Sequence, residues 1–199
     1  SNHGRIFLSI THNTFNGKNH NGRNTSSGVD FLQNKISKRD PLIFPTHGRS
    51  IVLFWHGTCD VTQMARPEKT LTPKYSSNAE YMAYLVPQLQ SLVSIHQGQP
   101  FDIGVLETPH TFMSSDEDIR IQNQITEAND FIRDSINTTL SYRSPKFNCD
   151  LLIFRKKKAR RSTSVSSSLY TDGIHPRPEL CRKWLYQIIL SVVDASTNK

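Results

Sequence analysis

Cysteine is scarce: Cys59, Cys149 and Cys181 are the three in 199 residues, odd in number and far apart. This excludes the disulfide framework that staples small secreted domains, and the spacing offers no zinc-ligand pair. A reducing, intracellular home is the expectation. Long apolar runs are also missing. None approaches the roughly 20 residues of a membrane span, and no signal peptide is apparent. Acidic residues are in deficit, 17 against 24 Lys and Arg, for a formal net charge of +7. What is present is enough apolar material, 36% of the chain, for one α/β core. The chain opens at a strand without an initiator context, so residues 1–199 read as a single domain of a longer protein. No metal or other cofactor is expected.

Apolar strands alternate with helical periodicity along the chain, the pattern of a mostly parallel sheet covered on both faces. Arg5–Ile10 reads as the first strand and Asn13–Ser26 as a loop. Gly28–Ile36 reads as a short helix, and Ile51–Trp55 as a buried strand. Ser77 with Glu80 three residues later makes a capping box. The helix it opens carries Met82, Leu85, Val86, Leu89, Leu92 and Val93 as a core stripe, with a kink expected at Pro87. Phe101–Leu106 is a strand. Ser115 opens a helix with an acidic first turn, whose buried stripe is Ile121, Ile125, Ala128, Ile132 and Ile136. Leu151–Phe154 is the last strand. A final helix starts at Pro178 and turns Leu180, Trp184, Leu185, Ile188, Val192 and Val193 inward.

The segment Tyr170-Thr171-Asp172-Gly173-Ile174-His175-Pro176 places an Asp three residues before a His, just ahead of that final helix. A neutral imidazole can take a proton from a serine hydroxyl, while the carboxylate fixes its tautomer. This segment resembles the last block of the SGNH (GDSL-type) hydrolases. Arg5-Ile6-Phe7-Leu8-Ser9-Ile10-Thr11 is similar to their first block, but Phe7 and Leu8 replace its Gly and Asp. Gly28, in Ser26-Ser27-Gly28-Val29-Asp30, matches the second block, where the resemblance implies a backbone N–H in an oxyanion hole. In Trp55-His56-Gly57-Thr58-Cys59-Asp60, Cys59 stands where the family carries an Asn that donates to the oxyanion. A thiol is a weak donor, and losing one oxyanion donor costs about a hundred- to a thousandfold in turnover. The resemblance implies a three-layer α/β/α fold with a five-stranded, mostly parallel sheet of flavodoxin-like architecture. The positions of its decayed site are Ser9, Gly28, Cys59, Asp172 and His175, with the losses at Phe7, Leu8 and Cys59 while Ser9, Gly28, Asp172 and His175 are kept.

Charge is unevenly spread: +5 over residues 1–100, −5 over 101–150 and +7 over 151–199. It peaks in Arg155, Lys156, Lys157, Lys158, Arg160 and Arg161, six cations in seven residues directly after the last expected strand. Charges this dense repel one another unless a polyanion meets them. In open parallel sheets ligands gather beyond the carboxyl ends of the strands. Ser9, Cys59, Pro109 and the basic run all follow strands there, Arg177 lies two residues past His175, and Lys35, Lys38 and Arg39 extend the patch. Tyr170, Tyr142 and Trp55 are stacking candidates, with core packing as the alternative for each.

A decayed hydrolase site with a cationic surround resembles the RNA-binding OSK-type domains, a degenerate branch of the SGNH family. That resemblance implies mRNA binding in cytoplasmic ribonucleoprotein granules of the germ plasm, with other germ-plasm or ribonucleoprotein proteins as partners, no membrane and no catalysis. The alternative is a divergent esterase using Ser9, His175 and Asp172. A protein-interaction scaffold is compatible with the first reading.

Overall fold

The computed structural model describes residues 24–41, 43–46, 50–55, 58–65, 70–109, 111, 116–136, 169–170 and 175–197. The expected strands Arg5–Ile10 and Leu151–Phe154 lie outside these residues. Within them the chain is mixed α/β, built on a small parallel sheet.

Helix α1, Thr25–Ser37, starts three residues earlier than its apolar pattern suggests. The reason is Asn24, whose side chain accepts from the Ser27 N–H at 3.0 Å and caps the first turn. Strand β1, Ile51–Trp55, follows. One turn of helix, α2 (Thr58–Val61), leads into an antiparallel hairpin of β2 (Thr62–Ala65) and β3 (Thr70–Pro73). Helix α3 spans Asn78–Gln97 and β4 spans Asp102–Leu106. Helix α4, Asp116–Phe131, continues as a π-helical turn over Ile132–Ile136, and α5 is Pro178–Thr197.

Strands β1 and β4 pair in parallel, with Val52 opposite Ile103 and Phe54 opposite Val105. Side chains alternate across a strand, and the two faces of this pair accordingly enter different cores. Val52, Phe54, Ile103 and Val105 join a cluster with Val29 and Leu32 of α1, Leu85, Leu89 and Leu92 of α3, and the α4 stripe Ile121, Ile125, Ala128 and Ile132. Ile51, Leu53 and Leu106 join a second cluster with Tyr170 and with Leu180, Trp184 and Ile188 of α5. The helical stripes read from the sequence are core at these positions, while Met82, Val86 and Val93 of the same stripes are half-buried and the side chains of Ile136, Leu185, Val192 and Val193 lie outside those described.

Two local details differ from expectation. Ser77 caps α3 by accepting from the Glu80 N–H, but the Glu80 carboxylate accepts from the Ser76 N–H at 2.8 Å and the Ser76 hydroxyl at 2.6 Å. The box closes one residue upstream because Ser76 supplies two donors where Ser77 could return only its N–H. As the sequence places it, Pro87 lies inside α3, Asn78–Gln97. The β2–β3 hairpin was not anticipated: its strands are four residues each and carry no hairpin turn dipeptide between them.

Candidate functional site

Because β1 and β4 run parallel, the segments that leave Trp55 and Leu106 emerge at one edge of the sheet. The first of these is α2, and its Asp60 is fully buried. A carboxylate there needs donors, and three groups supply them. The Thr25 N–H donates to Oδ1 at 2.8 Å, the Thr25 hydroxyl to Oδ2 at 2.7 Å, and the Tyr84 hydroxyl to Oδ1 at 2.9 Å. Asp60 thus ties the start of α1, 35 residues away, and the second turn of α3, 24 residues away, to the carboxyl end of β1.

This arrangement consumes the first turn of α1. A helix leaves its first four N–H groups without an intrahelical partner, which makes such a turn an anion site when they are free. Here three of them are engaged by groups elsewhere, Thr25 N–H by Asp60, Ser26 N–H by the Tyr84 hydroxyl at 3.2 Å and Ser27 N–H by the Asn24 side chain, and the Gly28 N–H makes the first intrahelical bond, to the Asn24 carbonyl at 3.2 Å. Gly28 does a different job. A Cβ at this position would lie 2.7 Å from Cζ and 3.0 Å from Cε2 of Phe54, so glycine is what lets α1 approach β1 closely.

Cys59 precedes Asp60 and is exposed, a free thiol. Desolvation first, and then the Asp60 charge, push this thiol above its ordinary value. It is a poor nucleophile and a weak donor at neutral pH.

Beside Asp60 stands a cluster that the sequence did not suggest. Tyr75 stacks on Tyr84 with ring centroids 5.7 Å apart and lies 5.3 Å from the ring of Tyr81. Lys74 sets its Nζ 5.5 Å from the centroids of both Tyr75 and Tyr84. Arg120 of α4 donates to the Ser76 carbonyl at 2.8 Å, adding a second cation beside this bend. Burial, followed by the Asp60 charge, raises all three tyrosine hydroxyls above their ordinary value, Tyr81 most clearly because it is wholly buried. Lys74 and Tyr75 follow β3, a strand with no turn signal before it, and no spacing rule links them to Tyr84.

The loop after β4 is locked as well. The buried Asn129 amide of α4 accepts from the Thr108 N–H at 2.7 Å and donates to its carbonyl at 2.9 Å, copying a strand pairing. Arg133 reaches Glu107 at 3.2 Å.

The other expected site residues separate into groups. His175 is exposed and belongs to the second cluster's side of the molecule, where Tyr170 and Pro176 form an isolated antiparallel bridge. Arg177 caps α5: its carbonyl accepts from the N–H groups of Leu180 and Cys181, and its Nε donates to the Tyr170 carbonyl at 3.4 Å. Lys35 is ion-paired with Asp40 and so partly neutralised. Lys38 ends α1, and Arg39 follows in the left-handed region at φ 47°, its guanidinium 5.8 Å from the Phe44 ring. Tyr170 is buried against Trp184, the packing alternative for that ring. Ser9, Asp172, Tyr142, Arg155, Lys156, Lys157, Lys158, Arg160 and Arg161 lie outside the described residues.

Among the described residues no cluster of His, Cys, Asp and Glu could hold a metal ion. No helix among them is long and apolar enough to cross a membrane. No family model, curated protein or solved structure matches the chain.

Proposed function

We propose that this chain is a non-catalytic RNA-binding domain on a decayed SGNH hydrolase fold, with five strands and three layers in full. It binds mRNA through a basic surface within cytoplasmic ribonucleoprotein granules, alongside other germ-plasm or ribonucleoprotein proteins. In this it resembles the C-terminal OSK domain of Oskar, the insect germ-plasm organiser. The observation that carries the reading is Lys74 held over two stacked tyrosines, one of which bonds the buried Asp60 that follows β1, in a chain of net charge +7. Single-stranded RNA is held by this pairing of cations for phosphate with rings for bases. The engaged N–H groups of α1 weigh against the esterase alternative, because an acyl-transfer site at this turn would need at least one of them aimed at the substrate.

RNA binding measured by fluorescence anisotropy across salt concentrations tests this. Each phosphate contact contributes a log–log slope of about −0.7 for single strands. Neutralising Arg155, Lys156, Lys157 and Lys158 together should flatten the slope by several contacts with little loss of thermal stability. Lys74→Ala should remove about one contact, and Tyr75→Ala should weaken binding with the slope preserved. Wild-type affinity in both the quadruple and the Lys74 variants, at moderate salt, would reject the RNA surface. Robust turnover of short acyl esters that disappears in Ser9→Ala would restore the hydrolase.

A further inference from the structure

Helices α1 and α3 touch at the first turn of α1, where the Ser26 N–H donates to the Tyr84 hydroxyl. Beyond that contact they leave a groove of about 460 Å³, lined by Gln33 of α1 and by Pro87, Gln90, Ser91, Ser94 and Ile95 of α3. Helical spacing makes this groove continuous with the platform of Lys74, Tyr75 and Tyr84. Gln33 lies seven residues after Ser26 on α1, and Pro87, Ser91 and Ile95 lie three, seven and eleven after Tyr84 on α3. Each of these steps returns to nearly the same side of its helix. Gln90 is about 9 Å of helix rise from Tyr84, within reach of the next nucleotide of a strand held there.

The lining selects a class of ligand. None of its six residues is charged, and Asp30, one turn before Gln33 on α1, disfavours an anion beside it. A phosphate has nothing to bind here. What the groove offers is hydrogen bonding between two apolar walls, Pro87 and Ile95. The Gln33 and Gln90 carboxamides are exposed, and neither is engaged by another described residue. The Ser91 and Ser94 hydroxyls donate to the Pro87 and Gln90 carbonyls at 2.9 and 3.1 Å, which leaves them as acceptors. Pro87 adds one more, because it has no N–H to give the Ala83 carbonyl one turn before it. The fitting ligand is therefore uncharged, flat and furnished with an amino group. A carboxamide pairs bidentately with adenine through N6 and N7, and uracil has no amino group to offer.

We infer that the groove between α1 and α3 is an adenine seat, in which the carboxamides of Gln33 and Gln90 read the edge of one base of the strand that Lys74, Tyr75 and Tyr84 hold. The inference rests on the RNA-binding reading and adds a sequence preference to it. Contacts to phosphate position a strand without choosing among sequences, and groups at base edges choose. A seat without charge adds no phosphate contact, so it leaves the salt dependence of binding alone.

Fluorescence anisotropy of the 199-residue chain tests this with a labelled oligouridylate and the same oligomer carrying one central adenosine. The adenosine should tighten binding about fivefold or more, with equal salt slopes for the two strands. Gln33→Ala with Gln90→Ala should reduce that ratio to about one. Both residues are exposed on helices, where alanine is favoured, so the variant keeps its fold. Pro87→Ala supplies the Ala83 carbonyl with a donor, and it should lower the ratio even as the thermal midpoint rises. Lys74→Ala should weaken both strands alike and keep the ratio. Equal affinity of the wild type for the two strands, or a ratio that survives in the double glutamine variant, would overturn the adenine seat while leaving RNA binding in place. Failure to bind either strand would remove both.

Discussion

Two residues at the first turn of α1 show how a motif position can keep its residue type while its surroundings change its use. Gly28 is needed for space. A methyl group there meets the Phe54 ring at 2.7 Å, and overpacking of this kind costs about 1–3 kcal/mol, against the roughly 1 kcal/mol that alanine returns to a helix interior. Gly28→Ala should therefore destabilise the chain in urea by about 1 kcal/mol, the difference of those two effects. In a Phe54→Leu background the same change should become neutral or stabilising. An unchanged penalty in that background would show that the ring is not what Gly28 accommodates. Asp60 carries more. Replacing it with alanine strands the Thr25 N–H, the Thr25 hydroxyl and the Tyr84 hydroxyl, and an unsatisfied buried donor costs about 1–3 kcal/mol. A loss on the order of 3 kcal/mol is expected by chemical denaturation, and a loss below 1 kcal/mol would mean that water replaces the carboxylate at little cost. Cys59→Ser beside it should leave stability and RNA affinity nearly unchanged, since the thiol is exposed.

At the level of elements, caps and stripes were legible because they are local. Ser77→Ala should cost about 1 kcal/mol through loss of the α3 cap, read as a fall in thermal midpoint. Glu80 adds a pH dependence. The Ser76 hydroxyl and N–H hold its carboxyl below its ordinary 4.5. A depressed value means the contribution is present above pH 4.5 and fades as pH falls through the lowered value. Glu80→Gln should therefore flatten the acid limb of the stability profile, and an unaltered limb would place that titration elsewhere. The hairpin β2–β3 escaped the sequence reading because its strands are short and polar, with no Asn-Gly or Asp-Gly between them. Its pairing is supported from outside: the Lys74 N–H donates to the Val61 carbonyl at 2.7 Å, and Gln124 of α4 donates to the Tyr75 carbonyl at 3.1 Å.

For the whole molecule, Tyr75, Tyr81 and Tyr84, three of the six tyrosines, link α3 to the bend that precedes it and to Asp60. All three ionise above their ordinary value of 10 in the folded chain, for reasons of burial and then of the Asp60 charge. Above pH 10 the unfolded chain releases these protons while the folded one retains them, so stability falls as pH rises. Alkaline titration followed by tyrosinate absorbance should show the ionisation of this cluster delayed until helical circular dichroism is lost. Smooth ionisation of all six tyrosines with the helices intact would place this cluster in solvent.

The sequence by itself determined what depends on near neighbours: where α3 begins, which faces of α3, α4 and α5 are buried, that β1 and β4 are strands, and that the chain carries a basic excess at both ends. Each follows from periodicity, capping chemistry or charge counts, which act over a few residues. Tertiary structure decided the rest. It engaged the Gly28 N–H within α1, gave Asp60 donors from 35 and 24 residues away, seated Lys74 on rings from two elements, and left a groove between Gln33 of α1 and Gln90 of α3. None of these is visible in a linear pattern, because a buried carboxylate or a close helix–strand approach is satisfied by whichever partners the packed core brings within about 3 Å, and chain order does not name them.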